Sequence, residues 1–370
     1  MKKKYLLIIP LIILIGVFIV AAVNNKKKYI QYDDNTFLAV IVNDVEMTSL
    51  PSKGDYNVDI TCTNATAKWD YDGWKAIISN MTAQVKCSLV FTSATSPNLA
   101  THIMGLGTGQ GVWNEPATDY RYEGKNPNNW ISFNGEKWRI IGVFGNNSHG
   151  KTGNLVKIIR SEALSGYIWN KTSNNDWTTS SLQTLLNTNY YNSVDESTLT
   201  NCYGYSTTTP GRCNFVGEGI KTIYRGMIEN ATWKLGGIGT IGTVAAAYSD
   251  ERGTVTYSSR PTTGASYIGL LYPSDYGYSV LASSCARSVL MSAYNTAACA
   301  GQSWLYESGY EWMLTPNSGN NNLWSTNYTG NVVAGGVTSG FSVRPALYLK
   351  ANAKKVAGTG TYADPYIITL

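Results

Sequence analysis

The fold is decided by the stretch Gly340-Phe-Ser-Val-Arg-Pro-Ala-Leu-Tyr-Leu349, the last strongly apolar run before the C-terminus. Apolar and polar side chains alternate along it, which is typical of a strand that turns one face to a core. Pro345 has no amide hydrogen and therefore indicates an open edge or a bulge at that point. We expect this strand to pair with residues 130–144, so that early and late strands close the main domain.

Residues 130–144 hold the clearest hairpin pattern, Trp-Ile-Ser-Phe-Asn-Gly-Glu-Lys-Trp-Arg-Ile-Ile-Gly-Val-Phe. Asn134-Gly135 supplies the positive φ angles that a type I′ turn requires. A third strand is predicted at 155–160. Two short helices are predicted, one at 177–187 after the capping residue Asp176, and one at 220–228, where apolar residues recur at helical spacing.

The order of these patterns predicts an α+β chain in which strands dominate. Three short strand patterns between 29 and 92 predict a small β domain. Residues 93–125 contain alternating glycines and predict a Gly-rich linker. Residues 126–370 are then the main domain, a β-rich fold with two short helices and long loops.

The six cysteines fall into three pairs that are close in sequence. Local pairing predicts the disulfides Cys62–Cys87, Cys202–Cys213 and Cys285–Cys299, while other pairings, or buried thiols in a cytosolic protein, are open alternatives. The chain has no Cys-x-x-Cys motif and only two histidines. We therefore expect no zinc site, and no pattern predicts another metal or a cofactor.

The N-terminus predicts attachment to a membrane. Three lysines at 2–4 precede nineteen uncharged residues at 5–23, which as a helix would span about 28 Å, the thickness of a hydrocarbon core. A signal anchor over 1–28 is therefore predicted, and the alternative is a cleaved signal peptide ending near Val20-Ala21-Ala22. Because disulfides need an oxidising compartment, we expect a single-pass protein of the cell membrane with its C-terminal part outside the cell.

The net charge of +5 comes from the first 28 residues, which contain six lysines and no acid. Without those lysines the 29 basic residues fall to 23, against 24 acidic residues. The folded part therefore lacks the positive surface that nucleic-acid binding requires, and we expect no nucleic-acid partner.

Three pieces of the chain resemble the C-type-lectin-like superfamily: Trp138-Arg-Ile-Ile-Gly142, the helix predicted at 177–187, and Gly340-Phe-Ser-Val-Arg-Pro345. They are similar in particular to surface domains related to formylglycine-generating enzymes and to the variable proteins of diversity-generating retroelements. The resemblance covers about 126–350 and implies that early strands pair with the late strand while long loops carry binding. The layout also resembles anchored proteins of Gram-positive bacteria.

The chain departs from the active members of that superfamily. Trp113-Asn-Glu-Pro116 and Asn175-Asp-Trp177 hold the letters of the calcium-lectin triplets in a different order, so no sugar or calcium ligands are carried over. The oxidising enzymes need a reactive cysteine pair near the end of the domain, and here no cysteine follows Cys299. That activity is not carried over either.

The sequence offers few groups for catalysis. His149 lies in a turn-like loop, where a solvated side chain is the simpler interpretation. The acids Asp250, Glu251, Asp275 and Glu311 could serve a hydrolase, but the sequence does not pair them across a cleft. No catalytic residue is therefore predicted, and the sequence favours a protein that is not an enzyme.

Arg344 is the one charge inside the apolar strand that decides the fold. A buried guanidinium needs carboxylate or carbonyl partners. We therefore predict a structural role for Arg344 rather than contact with a ligand.

The stretch 317–331 is the candidate ligand-binding site. It is rich in Asn, and such residues together with Tyr and Trp make adaptable contacts at low entropic cost. The predicted ligand-binding residues are the following: Asn320, Asn321, Asn322, Trp324 and Tyr328. The alternative is a plain polar loop.

These observations favour a membrane-anchored extracellular binding or adhesion-type protein with an unidentified ligand, either a glycan or a protein. One alternative is a cell-surface hydrolase acting on glycan or peptidoglycan, and another is a structural component of the envelope. A shallow face lined by Asn and aromatic residues would favour binding. Acids facing a deep cleft would favour the enzyme.

Overall fold

The structure is a computed structural model that describes residues 6–9, 29–54, 56–93, 96–116, 118–195, 202–204 and 207–370. The described chain divides into two compact units. Unit 1 holds the residues up to Pro97 together with Lys354–Ala357 and Ile367–Thr369. Unit 2 holds Asn98–Ala353, Gly358–Tyr366 and Leu370. Strands outnumber helices in the described residues, so the chain is β-rich with a few short helices.

Unit 1 is built from short strands that follow one another closely. In chain order they are β1 (Leu6–Ile9), β2 (Ile30–Asp33), β3 (Thr36–Val42), β4 (Val45–Met47), β5 (Tyr56–Thr63), β6 (Thr66–Asp70), β7 (Lys75–Ser79) and β8 (Val85–Ser93). One sheet has the order β2-β3-β8-β5 with β4 beside β3, and a second has the order β1-β7-β6. The buried core between these strands includes Leu38, Ile78, Leu89 and Phe91.

A disulfide and an aromatic cluster hold this small core together. Cys62 and Cys87 lie directly opposite each other on β5 and β8, and they are bonded. The rings of Trp69 and Trp74 pack edge to face, with centroids 5.1 Å apart, and both contact Phe91. Small domains bury too little surface to be stable without such covalent support.

Unit 2 contains the remaining helices and nearly all of the remaining strands. Its helices are α1 (Leu99–Met104), α2 (Asn146–His149), α3 (Ser181–Thr184), α4 (Thr222–Arg225), α5 (Val244–Glu251) and α6 (Pro273–Ser279). Its first strands are β9 (Val112–Asn114), β10 (Tyr120–Tyr122), β11 (Trp130–Phe133), β12 (Glu136–Phe144), β13 (Leu155–Arg160), β14 (Leu164–Ile168), β15 (Ala231–Lys234), β16 (Thr263–Ser266) and β17 (Ile268–Gly269).

The later strands are β18 (Glu311–Pro316), β19 (Leu323–Thr326), β20 (Val332–Gly335), β21 (Gly340–Val343), β22 (Ala346–Tyr348), β23 (Lys354–Ala357) and β24 (Ile367–Thr369). One sheet of unit 2 has the order β17-β22-β13-β12-β10-β9, with β11 on β12. The other has the order β14-β21-β18-β19-β20, and β15 pairs with β16. β23 and β24 form a two-stranded ribbon that belongs to unit 1.

The stretch that decides the fold is divided between the two sheets of unit 2. β21 pairs with β14 in one sheet, whereas β22 lies between β13 and β17 in the other. The prediction of a single strand that pairs directly with 130–144 was therefore wrong, because β13 lies between β22 and β12. The break falls at Pro345, which has no amide hydrogen for a ladder. Its carbonyl oxygen accepts a hydrogen bond of 3.0 Å from the backbone amide of Arg160.

The hairpin predicted at 130–144 is confirmed by β11 and β12. Asn134 and Gly135 have φ angles of 62° and 78°, as a type I′ turn requires. The predicted helix at 177–187 is a 3-10 turn at Trp177–Thr179, then α3, then a π-helix at Leu185–Tyr190. Of the helix predicted at 220–228, only the single turn α4 forms. Ile223, one of the apolar positions of the predicted face, is 72% exposed, so the segment does not bury a continuous helical face.

Residues 93–125 are not a linker throughout. From residue 98 onward they belong to unit 2, where they form α1, β9 and β10. β10 pairs with both β9 and β12 in the larger sheet. Positive φ angles at Gly107 and Gly111 turn the chain sharply into β9, so these glycines make a tight turn rather than a flexible connection.

The three predicted disulfides, Cys62–Cys87, Cys202–Cys213 and Cys285–Cys299, are present. Within the described part of the chain, no helix is long and apolar enough to cross a membrane. The membrane anchor predicted over 1–28 lies outside the described residues, apart from the short strand β1.

Candidate functional site

The predicted ligand-binding residues of 317–331 do not share one surface. Trp324 is only 5% exposed, and its Nε1–H donates a 3.0 Å hydrogen bond to the carbonyl oxygen of Ile238. Tyr328, in contrast, is 63% exposed. The reason is that residues 323–326 form β19, an inner strand of the five-stranded sheet whose side chains are buried on both faces. The ring of Trp324 is therefore part of the core and is not available for stacking on a ligand.

β19 divides the Asn-rich stretch into two turns at opposite ends of the strand. The turn before it carries Asn320, which is exposed, and Asn321 and Asn322, which are half-buried. The turn after it carries Tyr328, whose carbonyl oxygen accepts a 2.6 Å hydrogen bond from the Tyr306 hydroxyl. Residues of the first turn contact side chains that line a cleft.

That cleft, which we name the Asn175 cleft, is small: its cavity volume is about 10 Å³, room for about one water molecule. It is formed by four segments of unit 2 that are separate in sequence. Its lining residues are Asn175, Asp176, Trp177, Leu235, Thr256, Tyr257, Arg260, Pro261 and Pro316. The side chains are a mixture of polar, aromatic and small apolar groups, and the cleft is shallow.

Asn175 fixes the Asn-rich turn against the cleft. Its Nδ2 group donates to the carbonyl oxygens of Asn317, Asn320 and Asn322 at 3.0, 3.0 and 2.7 Å. Asp176 fixes the next residues, since its Oδ1 accepts hydrogen bonds from the backbone amide and the hydroxyl of Thr178 at 2.8 and 2.7 Å. These contacts hold Asn175, Asp176 and Trp177 in one defined arrangement.

Arg260 reaches the same turn from the opposite wall. Its Nη2 group donates to Oδ1 of Asn321 at 2.5 Å, and its guanidinium lies 5.2 Å from the ring centroid of Tyr257. Burial lowers the pKa of Arg260, although Asp176 and Tyr257 act in the opposite direction. Among the described residues Arg260 forms no ion pair within 4.0 Å, so its charge is held by neutral partners.

Three polar atoms of the cleft have no hydrogen-bond partner among the described residues. They are Oδ1 of Asn175, Nε1 of Trp177 and Nη1 of Arg260. Asn175 and Trp177 are only 1% and 2% exposed, so water reaches these side chains poorly. A buried polar group without a partner costs about 1–3 kcal/mol. Three such groups in one cleft need partner atoms from outside the chain, either an ordered water or a ligand.

The acids considered from sequence do not form a catalytic pair. Asp250 is exposed, whereas Glu251 and Asp275 are buried in ion pairs with Arg252 and Lys157. Glu311 is also buried and is paired with Arg344. The three buried carboxylates are therefore engaged in ion pairs of the interior, and none of the four acids lines the Asn175 cleft.

Arg344 has both kinds of partner that the sequence predicted. Its Nε and Nη2 groups donate to the two carboxylate oxygens of Glu311 at 2.7 and 2.8 Å. Nη2 also donates to the carbonyl oxygen of Leu305 at 2.7 Å. The bidentate contact between Arg344 and Glu311 anchors β21 and β22 to β18, since Glu311 is the first residue of β18.

His149 is buried rather than solvated. Its Nε2 lies 2.9 Å from the carbonyl oxygen of Phe144, and its Nδ1 accepts a 3.2 Å hydrogen bond from the Lys151 amide. Burial lowers the pKa of His149. With both ring nitrogens engaged by the backbone, this side chain fixes the loop and has no free nitrogen for general base catalysis.

Sequence reasoning missed a pair of carboxyl groups at Glu115 and Glu123. Nη2 of Arg287 contacts both, and it lies 2.6 Å from Oε1 of Glu123. Burial, together with a hydrogen bond to Glu115, raises the pKa of Glu123 to about 9. For Glu115, burial raises the pKa, but hydrogen bonds with Glu123 and Arg287 outweigh it and lower the pKa. Glu123 is buried, so a substrate would not reach the protonated partner of the pair.

Arg260 and Tyr257 were also missed, because nothing in the local sequence marks them. Asn175-Asp-Trp177 was noticed only as a reordered lectin triplet. The one signal available was the density of Asn at 317–322. None of the predicted ligand-binding residues lines the cleft, but Asn320, Asn321 and Asn322 contact the lining residues Asn175 or Arg260. No protein-family model, curated protein or solved structure matches this chain.

We expect Trp324→Ala to lower the free energy of unfolding by about 3–5 kcal/mol, because it removes a buried ring and leaves a cavity. Tyr328→Ala is the matched control. Its ring is mostly exposed, so the loss should stay below about 1 kcal/mol. Urea unfolding followed by circular dichroism measures both. Equal unfolding midpoints for the two variants would contradict the buried position of Trp324.

The carboxyl pair predicts a pH dependence of stability. Because the pKa of Glu123 is raised from 4.5 to about 9 in the folded protein, the folded state keeps a proton that the unfolded chain releases. The stabilisation is complete below pH 4.5 and is lost as the pH rises to about 9. The pKa of Glu251 is raised only to about 7. The stabilisation that comes from its bound proton is therefore lost by about pH 7 and does not change stability between pH 7 and 9.

Glu123→Gln isolates this effect, since its amide resembles the protonated carboxyl and does not titrate. Between pH 7 and 9 we expect the wild-type chain to lose up to about 1.4 kcal/mol per pH unit relative to Glu123→Gln. Urea unfolding at several pH values gives the comparison. Parallel stability curves for the two proteins would show that Glu123 is ionised in the folded state.

Proposed function

We propose that this chain is a membrane-anchored extracellular binding protein and that the Asn175 cleft is its ligand-binding site. The single observation that carries the proposal is the set of unpaired atoms of Asn175, Trp177 and Arg260 in one cleft. A shallow face lined by Asn and aromatic residues suits recognition of a glycan or a protein surface. The turn at 317–322 contributes Asn321, which holds Arg260 in place.

We also propose that unit 2 has a C-type-lectin-like fold. The proposal is supported by its β-rich composition and by a sheet in which the late strand β22 lies with the early strands β10, β12 and β13. It is further supported by two long loops closed by Cys202–Cys213 and Cys285–Cys299. Long loops on a rigid β scaffold are a common place for ligand contacts.

The extracellular location is supported by the apolar, uncharged stretch at 5–23 and by the three disulfides. A hydrolase is less well supported than a binding protein. Its acids would have to be Glu115 and Glu123, which share Arg287, and Glu123 is buried. A general acid must reach the bond that it protonates, so this pair fits a structural role better.

The location can be tested with a membrane-impermeant thiol reagent on intact cells that express the full chain. We expect no labelling without reductant and labelling after mild reduction, since all six cysteines are paired outside the cell. Six reactive thiols that become accessible only after the cells are permeabilised would place the folded part in the cytosol and contradict the proposal.

Binding can be tested with the full-length chain, solubilised in detergent, on an array of glycans and extracellular proteins. We expect Arg260→Ala to bind about 2 kcal/mol more weakly to the glycans or proteins of the array that the wild-type chain binds. The melting temperature should fall only slightly, because the half-buried side chain forms no ion pair and its hydrogen bond to Asn321 contributes about 1 kcal/mol.

Arg212→Ala is the matched control for the loss of an arginine. Arg212 is exposed and pairs only with Asp195 in solvent, where an ion pair contributes little. It should bind as the wild-type chain does. If Arg260→Ala also binds as the wild-type chain does, the cleft is not the site, and if the wild-type chain binds no feature, the proposed function fails.

A further inference from the structure

We infer that the folded chain forms an intramolecular isopeptide bond, an amide that joins Nζ of Lys157 to Cγ of Asp275. Nζ and Oδ2 of this pair lie 2.6 Å apart, and neither side chain is exposed to solvent. Lys157 is on β13 and Asp275 is on α6, 118 residues later in the chain. The inference concerns the interior of unit 2 and does not depend on the Asn175 cleft or on any ligand.

The surroundings of the pair are aromatic and exclude bulk water. The ring centroids of Tyr272 and Trp233 lie 4.2 and 4.9 Å from Nζ of Lys157, and those of Tyr348 and Phe144 lie 5.7 and 5.9 Å away. All four rings are buried. Because water hydrolyses amides and hydrates both reacting groups, a site that excludes it favours condensation.

Lys157 is poorly satisfied as an ammonium group. Such a group has three N–H donors, but among the described residues Asp275 is the only hydrogen-bond partner of Nζ. Burial lowers the pKa of Lys157, although Asp275 acts in the opposite direction. Both observations favour transfer of a proton out of the ammonium group, which leaves the neutral amine, a nucleophile.

Hydrogen-bond donors face both oxygen atoms of the Asp275 carboxylate. The backbone amide of Tyr272 donates to Oδ2 at 3.0 Å, and Nη2 of Arg121 donates to Oδ1 at 3.5 Å. When an amine adds to Cγ, negative charge moves onto these oxygens, and donors placed in advance stabilise it. Burial raises the pKa of Asp275, but Lys157 and Arg121 outweigh it, so the carboxylate starts ionised and takes its proton from Lys157.

The condensation balances without a further reagent. The Lys157 ammonium group gives one proton to Oδ2 of Asp275, and the lone pair of the resulting amine forms a bond to Cγ. The bond between Cγ and the protonated oxygen then breaks, and this oxygen takes the electron pair and a second proton from the nitrogen and leaves as water. One ammonium and one carboxylate thus become a neutral amide and a water molecule, with no oxidation or reduction.

Position and desolvation both favour the amide. Reacting groups that a fold holds together can react as if their concentration were about 10⁵–10⁸ M. β13 lies between β12 and β22 inside the larger sheet, and every residue of α6 is buried, so the two groups cannot separate without disturbing the core. A buried ion pair also carries the cost of removing two charges from water, whereas an amide has no charge to bury.

The test is mass spectrometry of the full-length chain, purified in its folded state and then reduced and digested with trypsin. We expect a branched peptide that contains both Lys157 and Asp275 and is lighter by one water molecule than the two linear peptides together. Trypsin should not cleave after Lys157, because an amide carries no positive charge. Recovery of the two linear peptides without the branched one would show that the contact is an ion pair only and would overturn the inference.

The same digest contains a matched control. Lys151 and Glu229 also form an ion pair in unit 2, with Nζ and Oε1 3.3 Å apart, but their side chains are 38% and 24% exposed. We expect only linear peptides from this pair. Equal branching at the exposed and the buried pair would contradict a reaction that depends on burial.

A double variant assigns the bond to these two side chains. Lys157→Met together with Asp275→Leu replaces the pair by apolar side chains of similar volume, a change that buried ion pairs often tolerate. It should yield linear peptides across both positions and none that is branched. A branched peptide of the same two segments from this variant would place the link at other residues and contradict the assignment. If the variant does not fold, the digest of the wild-type chain still decides the question.

Discussion

The interior of unit 2 depends on the ion pair between Lys157 and Asp275, whose Nζ and Oδ2 atoms lie 2.6 Å apart with both side chains fully buried. Removing two charges from water costs several kcal/mol, which only good geometry and further hydrogen bonds offset. Asp275 has these further contacts, with the Tyr272 amide at 3.0 Å and Arg121 at 3.5 Å. Burial alone would raise the pKa of Asp275, but Lys157 and Arg121 lower it. The pair therefore joins β13, β10 and α6.

The contacts around this pair also support one wall of the Asn175 cleft. Lys157 Nζ lies 4.9 Å from the ring centroid of Trp233 on β15, and Leu235, which lines the cleft, directly follows β15. The next residue, Gly236, donates its amide to the carbonyl oxygen of Glu251 at 3.0 Å. Unit 2 thus uses its buried acids in ion pairs of the interior. Buried polar atoms without a partner among the described residues occur in the cleft, at Asn175, Trp177 and Arg260, and also in the core, at Trp169 and Thr315. A rigid interior of this kind holds the groups of the cleft in place.

The sequence by itself determined the features that depend on neighbouring residues. Asn134-Gly135 specified the hairpin of β11 and β12, because the positive φ angles of that turn suit few other residues. Pairing of cysteines close in sequence identified the three disulfides, since short loops close at low entropic cost. The single charge of an apolar strand indicated that Arg344 needs buried partners. Strand patterns and composition also indicated a β-rich chain with few helices.

The tertiary structure alone decided which segments meet. Pro345 marked an irregular point, but only the packing of two sheets places β21 in one and β22 in the other. Density of Asn marked 317–331, but Trp324 became part of the core because both faces of β19 are covered by other parts of the chain. The cleft joins Asn175 to Asn317 across 142 residues and Arg260 to Asn321 across 61. Local patterns record local backbone preferences, whereas contacts over such separations arise from the burial of whole strands and turns, which no short stretch of sequence encodes.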